Sequence, residues 1–475
     1  MNDYQAEDWR TRTPTPSEHD DVENPSELQH REQALPLSAA QQGLLYLALV
    51  GEDGSAYNLS WAGRVCGPLD VSLLAKAFNE LGAVHEQLAR RIGLQDGQFV
   101  SFAATDPLMA QHIQRPGISA IERDADAQQM TDDDAHRDFD LIGGELTRLT
   151  TVTYANDDHL VLLTVHHVVA DGWSLEVIYR DLSRLYARIQ RTGASHRESQ
   201  GPVSGYGQYL ESRESLSPER RARHLTSWKT ELSGASFEIN VLEAGDPAPR
   251  ISETTSARES IVLSEIGAGG VQSLAATTYS TPFMVTLAIF ARALGLAVGR
   301  DQVVIGSPFG ARPSMEFDNV VGMFVNTLPL TIRGCTDGPL AETVSSAREA
   351  TLFALEHQET PLQEIVGSLS RHRDPTNDSL FGAGFTYVPW GTYVEMLHFP
   401  NTDVSRLLPN GQAPKFPLLF TVAEQEDSTL MLTLEYSVEI VGRSNALALL
   451  KSFAAIAESA RETASEPNGL RKPAP

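Results

Sequence analysis

The chain is poor in cysteine: Cys66 and Cys335 are its only two in 475 residues, and they lie far apart. That argues against a disulfide framework or a metal cluster and fits a reducing cytoplasm. No tightly bound cofactor or metal is expected. Basic residues are scarce too, 37 Lys and Arg against 62 Asp and Glu, for a net charge of −25. Nucleic acid needs a basic face and an anionic membrane surface attracts basic segments, so neither is an expected partner. Long hydrophobic runs are missing as well. The stretch Met284–Val298 is broken by Thr286 and Arg292 and is too short to span a bilayer. The N-terminus is acidic rather than basic and apolar, so it does not read as a secretory signal.

What is present is a globular composition, 41% hydrophobic and 21% charged, in the usual range for folded domains. The length allows two domains or two large lobes. Residues 1–35 carry many charges and Pro14, Pro16 and Pro25, and are expected to form a disordered acidic tail. Residues 465–475 are expected to fray. The polar stretch His196–Ser204 is expected to divide a lobe at 36–195 from a lobe at 196–464. Helices are expected at Val71–Ala83, Trp173–Gln190, Arg220–Leu232, Pro282–Val298 and Leu340–Glu356. Strands are expected at Gln302–Gly306 and Leu430–Glu435. The alternation reads as an α/β fold class with mixed α+β layers.

The most informative segment is Val165–Ser174, which contains His-His-x-x-x-Asp-Gly. Leu160, Val161, Leu162, Leu163 and Val165 read as a buried strand before it. Leu175, Ile178, Leu182 and Leu185 read as one face of a helix after it. The motif therefore occupies a strand-to-helix turn, where helix-start N–H groups can meet developing negative charge. One histidine can carry a proton, because its ordinary pKa of about 6.5 lies near working pH. Adjacent strand residues point to opposite sides, so His166 and His167 are expected to differ in role. Asp171 either pairs with an arginine and holds the loop or orients a histidine. Gly172 permits close backbone approach.

From this motif outward the chain resembles the condensation domains of nonribosomal peptide synthetases, within the chloramphenicol acetyltransferase-like superfamily. Leu37-Ser38-Ala39-Ala40-Gln41-Gln42 is similar to the family's opening Ser-x-Ala-Gln motif. His85–Arg91, Asp138–Leu141, Tyr206–Tyr209 and Trp228 resemble further family positions in the same order. So do Ile305–Pro308, Arg312-Pro313, Val321–Leu330 and His357–Leu362. The resemblance runs over roughly residues 36–460. Departures occur at Gly43, where Arg is usual, and at Tyr46, Gln208 and Pro417; the Asn that commonly follows Tyr436 is also missing. They bear on substrate and docking more than on the central motif.

The resemblance implies two acetyltransferase-like lobes arranged as a V, with a tunnel between them. It implies acyl transfer from the phosphopantetheine arm of a carrier protein, acting in trans, to an amine or hydroxyl acceptor. A freestanding condensation enzyme is the leading reading, with an amide or an ester as product. His167 matches the catalytic position and takes or holds the proton. The Gly172 N–H, at a helix start, is expected to stabilise the oxyanion. Asp171 pairs with Arg312, which by residue type alone reads as a surface loop arginine, and His166 packs inside. Trp173 and Ser174 are tunnel or substrate-binding candidates, and Asn326 is a third, holding the crossover between lobes. The competing readings are a coenzyme A-dependent acyltransferase of the same superfamily and a non-catalytic carrier-binding module. The net charge is awkward for an acidic carrier. Arg220-Arg221-Ala222-Arg223-His224 is a candidate docking patch, though its plainest reading is a solvated helix face.

Overall fold

The computed structural model describes residues 34–50, 54–104, 106–193, 205–214, 217–237, 255–310, 312–369, 381–390, 397–411 and 415–465. The expected boundary at His196–Ser204 and nearly all of the N-terminal tail lie outside these residues.

Strand β7 (Asp158–His166) lies at the centre of the first sheet because both of its faces are apolar. Residues from His159 to His166 are all buried. Val161, Leu163 and Val165 join the larger core on one face, while Leu160 and Leu162 join a smaller cluster on the other. The sheet order is β12–β2–β7–β6–β5, where β2 is Asn58–Cys66, β5 Ala110–Gln114, β6 Thr147–Ala155 and β12 Asp403–Leu407. Helices α2 (Val71–Val84) and α4 (Gly172–Thr192) pack on the face of the larger core. Helix α3 (Ala120–His136) covers the other face through Ala127 and Met130.

Helix α4 is long because Val177, Ile178, Leu182, Leu185 and Ile189 keep one continuous buried stripe. It ends at Gly193, whose φ of 64° is the left-handed conformation that terminates helices. A three-stranded sheet, β1 (Leu35–Pro36), β4 (Gln98–Ala103) and β3 (Arg90–Gln95), flanks this unit. Leu35, the last residue of the stretch expected to be a disordered tail, pairs with Ser101 in this sheet. Helix α1 (Ala39–Val50) follows.

The second sheet runs β10–β9–β11–β13–β14–β8, with β8 Ser256–Val262, β9 Gln302–Gly310, β10 Val325–Arg333, β11 Gly384–Val388, β13 Leu418–Glu424 and β14 Leu430–Ser437. Its core holds Phe290, Phe385, Phe420 and Phe453; Phe290 and Phe420 stack with centroids 4.6 Å apart. Helices α7 (Glu265–Thr278), α8 (Pro282–Val298), α9 (Leu340–His357) and α11 (Arg443–Ser465) surround this core. Helix α8 is apolar around most of its circumference because it is buried from Met284 to Ala293 except at Arg292. No single described helix is long and apolar enough to cross a membrane. Helix α11 extends to Ser465, the residue from which fraying was expected. Helices α5 (Tyr206–Glu214), α6 (Pro218–Glu231) and α10 (Leu362–Ser368) complete the chain.

The expected elements are present with ends shifted by a few residues. The two cores are not sequence-contiguous, however. Strand β12 comes from the second half of the chain yet pairs antiparallel with β2, Val404 opposite Val65. Leu397, Phe399 and Val404 enter the first core. A β2 edge left bare would expose unpaired backbone groups, and the returning strand covers it. The expected division at residue 195 therefore does not separate the two sheets.

Candidate active site

The strand ends at His166 and the helix begins at Gly172, so five residues make the turn. Its backbone is held at both ends. The His167 N–H donates to the Tyr57 carbonyl (2.9 Å) and the Val169 N–H to the His166 carbonyl (3.1 Å). In the middle, the Gln41 side chain on α1 donates to the Val168 carbonyl (2.8 Å). Val168, Val169 and Ala170 are fully buried, which anchors the loop from below.

His166 continues the even-numbered face of β7 and has no exposed surface. Its Nδ1 accepts from the Val168 N–H (3.2 Å), and its ring meets Phe139 edge-on. That bond places the proton of the neutral ring on Nε2, which is buried without a partner. Burial, then the Lys415 and Arg148 cations, push its pKa down to about 4.

His167 leaves the strand and is partly buried. Its Nδ1 is enclosed and has no partner within hydrogen-bonding geometry. Desolvation by the surrounding protein, reinforced by the Lys415 ammonium, lowers its pKa to about 3, and neighbouring backbone groups offset this only in part. The imidazole is therefore neutral at pH 7, with a lone pair available. Lys415, on the approach to β13, is exposed. The sequence pointed only to the nearby departure at Pro417, because nothing local links Lys415 to the histidines.

Asp171 caps α4 and does more. Its Oδ1 accepts from the Ser174 N–H (2.8 Å), and its Oδ2 from the Phe324 N–H (3.1 Å). Arg312, just past β9, approaches Oδ1 at 3.3 Å, and both side chains are almost wholly buried. The same guanidinium donates to the Phe317 and Val320 carbonyls and lies 3.9 Å from the Phe324 ring centroid. Burial lowers its pKa, opposed by Asp171, but an arginine keeps its charge. Of the two options for Asp171, the geometry is that of a carboxylate paired with an arginine.

The three tunnel candidates have different surroundings. Ser174 has no exposed surface. Its hydroxyl is 2.7 Å from Asp171 Oδ1 and 2.8 Å from the Gly322 carbonyl, and it accepts from the Gly322 N–H (3.1 Å) and Arg312 (3.2 Å). It is a junction residue rather than a lining one, because a small hydroxyl at this helix start is consumed by the opposing loop. Trp173 is 39% exposed, and its indole N–H donates to the Asp318 carbonyl (2.8 Å). Asn326 holds β10 to the α9–α10 connection: it donates to the Gln358 and Thr360 carbonyls (3.0 and 2.8 Å) and accepts from the Leu362 N–H (3.1 Å). Gly172 opens α4 and is exposed.

The turn thus presents a neutral histidine and a helix N-terminus on a frame clamped from the second sheet. A family profile described as the condensation domain matches residues 31–469. Malpinin synthetase from Mortierella alpina is 30% identical over 416 residues, covering 87% of this chain and 5% of the synthetase. The chain spans a small part of the length of such curated relatives. Among solved structures, the X-domain from teicoplanin biosynthesis aligns with a TM-score of 0.78 at 21% identity, over 90% of this chain and 95% of that one. The first condensation domain of the calcium-dependent antibiotic synthetase, in complex with a substrate analogue, aligns with a TM-score of 0.69 at 21% identity, over 90% and 97%. These likenesses show the shared fold. Because the profile runs across both sheets and the clamped turn, the chain belongs to the condensation domain family.

Proposed function

We propose that this chain catalyses acyl transfer in nonribosomal peptide biosynthesis. The donor is an acyl or aminoacyl thioester on the phosphopantetheine arm of a carrier protein, and the acceptor is an amine or hydroxyl. The acceptor attacks the thioester carbonyl carbon and the C–S bond breaks. An amide or ester forms and the thiol leaves with a proton. His167 takes or holds the acceptor's proton through Nε2. The N–H of Gly172, at the positive end of α4, stabilises the oxyanion. Asp171, Arg312 and Ser174 hold the turn without touching substrate. The observation that carries this reading is the placement of His167 beside the start of α4, on a turn clamped by the buried Asp171–Arg312 pair.

The test is transfer from a loaded carrier protein, followed by intact-protein mass spectrometry, with amine and alcohol acceptors. The matching coenzyme A thioester serves as a control donor, and His167→Ala runs beside the wild type. Carrier-dependent transfer lost in the variant is expected. Equal or better transfer from coenzyme A would move the protein to the soluble-thioester acyltransferases. Binding of the carrier without any transfer would make it a docking module.

A further inference from the structure

A cavity of about 190 Å³ is lined by none of the residues of the His166–Ser174 turn, although its wall includes Phe324, whose N–H donates to Asp171. That is more than ten times what one ordered water needs, roughly 10–15 Å³. Its walls come from the start of α1, from α5 and α6, from Phe324–Asn326 at the start of β10, and from the start of α10 with the segment before it. The chemistry-bearing groups are Arg213, Arg220, Arg221 and His224 against Glu359 and Glu364. Arg220 and Arg221 are exposed on α6 at the rim, and Arg213 on α5 is partly buried.

Two of these arginines are held by neutral groups. Arg213 donates to the Glu359 backbone carbonyl, and Arg221 to the Arg213 carbonyl (2.7 Å). Only Arg220 meets a carboxylate, Glu359 at 3.0 Å. Among the described residues neither Arg213 nor Arg221 has a carboxylate within ion-pair distance. An arginine carries five N–H donors in a fixed fork, so donors remain beyond the carbonyl bonds. The carbonyl contacts orient the forks without neutralising them. His224 adds a ring whose pKa is lowered by burial, His357 and Arg220.

We propose that this cavity is a binding site for a phosphate group, held by Arg213, Arg220 and Arg221. Arginine forks match phosphate oxygens better than a lone carboxylate does. Glu359 acts as the internal competitor that occupies Arg220 when the site is empty. Both inorganic phosphate and the phosphate of a phosphopantetheine arm present this chemistry. Binding of phosphate here does not depend on the acyl-transfer reading; only a carrier-borne source for the phosphate rests on it.

The experiment is calorimetric titration of the full chain with inorganic phosphate and with free phosphopantetheine, using sodium chloride at matched ionic strength as the blank. Saturable one-to-one binding is expected. Arg221→Ala should weaken it about tenfold or more, the scale of a lost charge-assisted bond, while Arg221→Lys recovers part. Glu359→Gln should tighten it, and His167→Ala should bind as wild type. Phosphopantetheine binding at least about tenfold tighter than phosphate would assign a tethered arm, and equal affinity a free phosphate; both support the site. No saturable binding, or equal affinity in Arg221→Ala, overturns it. Should Arg221→Ala fail to fold, unchanged affinity in Glu359→Gln overturns it instead.

Discussion

At the residue scale, the two histidines share a sequence motif but differ in surroundings. His167 is partly buried and neutral, with its pKa lowered by desolvation to about 3. Each pKa unit of lost basicity removes about 1.4 kcal/mol of drive for proton uptake. So weak a base suits a group that orients the acceptor and takes its proton only as charge develops. His167→Ala should lose at least about tenfold in rate, a floor beneath the 10²–10⁴ typical of acid–base groups; near-normal single-turnover rates would remove it from the mechanism. A lowered pKa means the active neutral form persists as pH falls. The acid limb of the kcat/KM profile should therefore lie well below pH 6.5, and Lys415→Met should move it upward. His166 is depressed too, to about 4. The unfolded chain takes up its proton near 6.5, so the stability it contributes is full above that value. It declines as pH falls from about 6.5 to 4, by on the order of 3 kcal/mol. Urea melts across that range, with His166→Gln flattening the slope, would check this.

At the scale of elements, the start of α4 is where local and distant forces meet. An N-cap alone is worth about 1 kcal/mol. Asp171 also neutralises a buried arginine, and removing one partner of a buried pair costs roughly 3–5 kcal/mol. Asp171→Ala should therefore lower the melting temperature strongly and activity with it. Ser174→Ala should cost less, about 1–3 kcal/mol, for the unmade bonds at the Gly322 loop. Lost activity in Asp171→Ala at an unchanged melting temperature would contradict this structural role. The cap was legible in the sequence as an acid at a strand-to-helix turn. The Phe324 N–H was not, since a backbone donor carries no residue signature.

At the scale of the whole molecule, the first sheet is completed by a strand from the far half of the chain. Entry to β12 is tight. Gly67 has φ 126°, and a Cβ there would stand 2.7 Å from the Asn401 carbonyl oxygen and 3.0 Å from Thr402 Cα. Both obstacles are backbone, so neither can rotate away. Gly67→Ala should cost about 1–3 kcal/mol and raise hydrogen exchange of the β12 amides. Unchanged exchange at Val404 would show that the strand docks independently of this turn.

Periodicity was enough to place the central turn. An apolar run marks β7, a three-four repeat marks α4, and whatever joins them must lie near the surface of the sheet. Alternation led to different roles for His166 and His167; in the structure they differ because β7 ends at His166 and His167 begins the turn. Ser174 shows the limit. Its small size and polarity fit a helix start or a lining position equally, and only the loop packed against it decides. Arg312 lies 141 residues from Asp171 and the Phe324 N–H lies 153 away. Lys415, on the approach to β13 of the other sheet, acts on the histidines through its charge, and β12 crosses back to β2. Local pattern records which face of an element is buried. It does not record what is buried against it, so the site's frame and its electrostatics were decided by the tertiary structure.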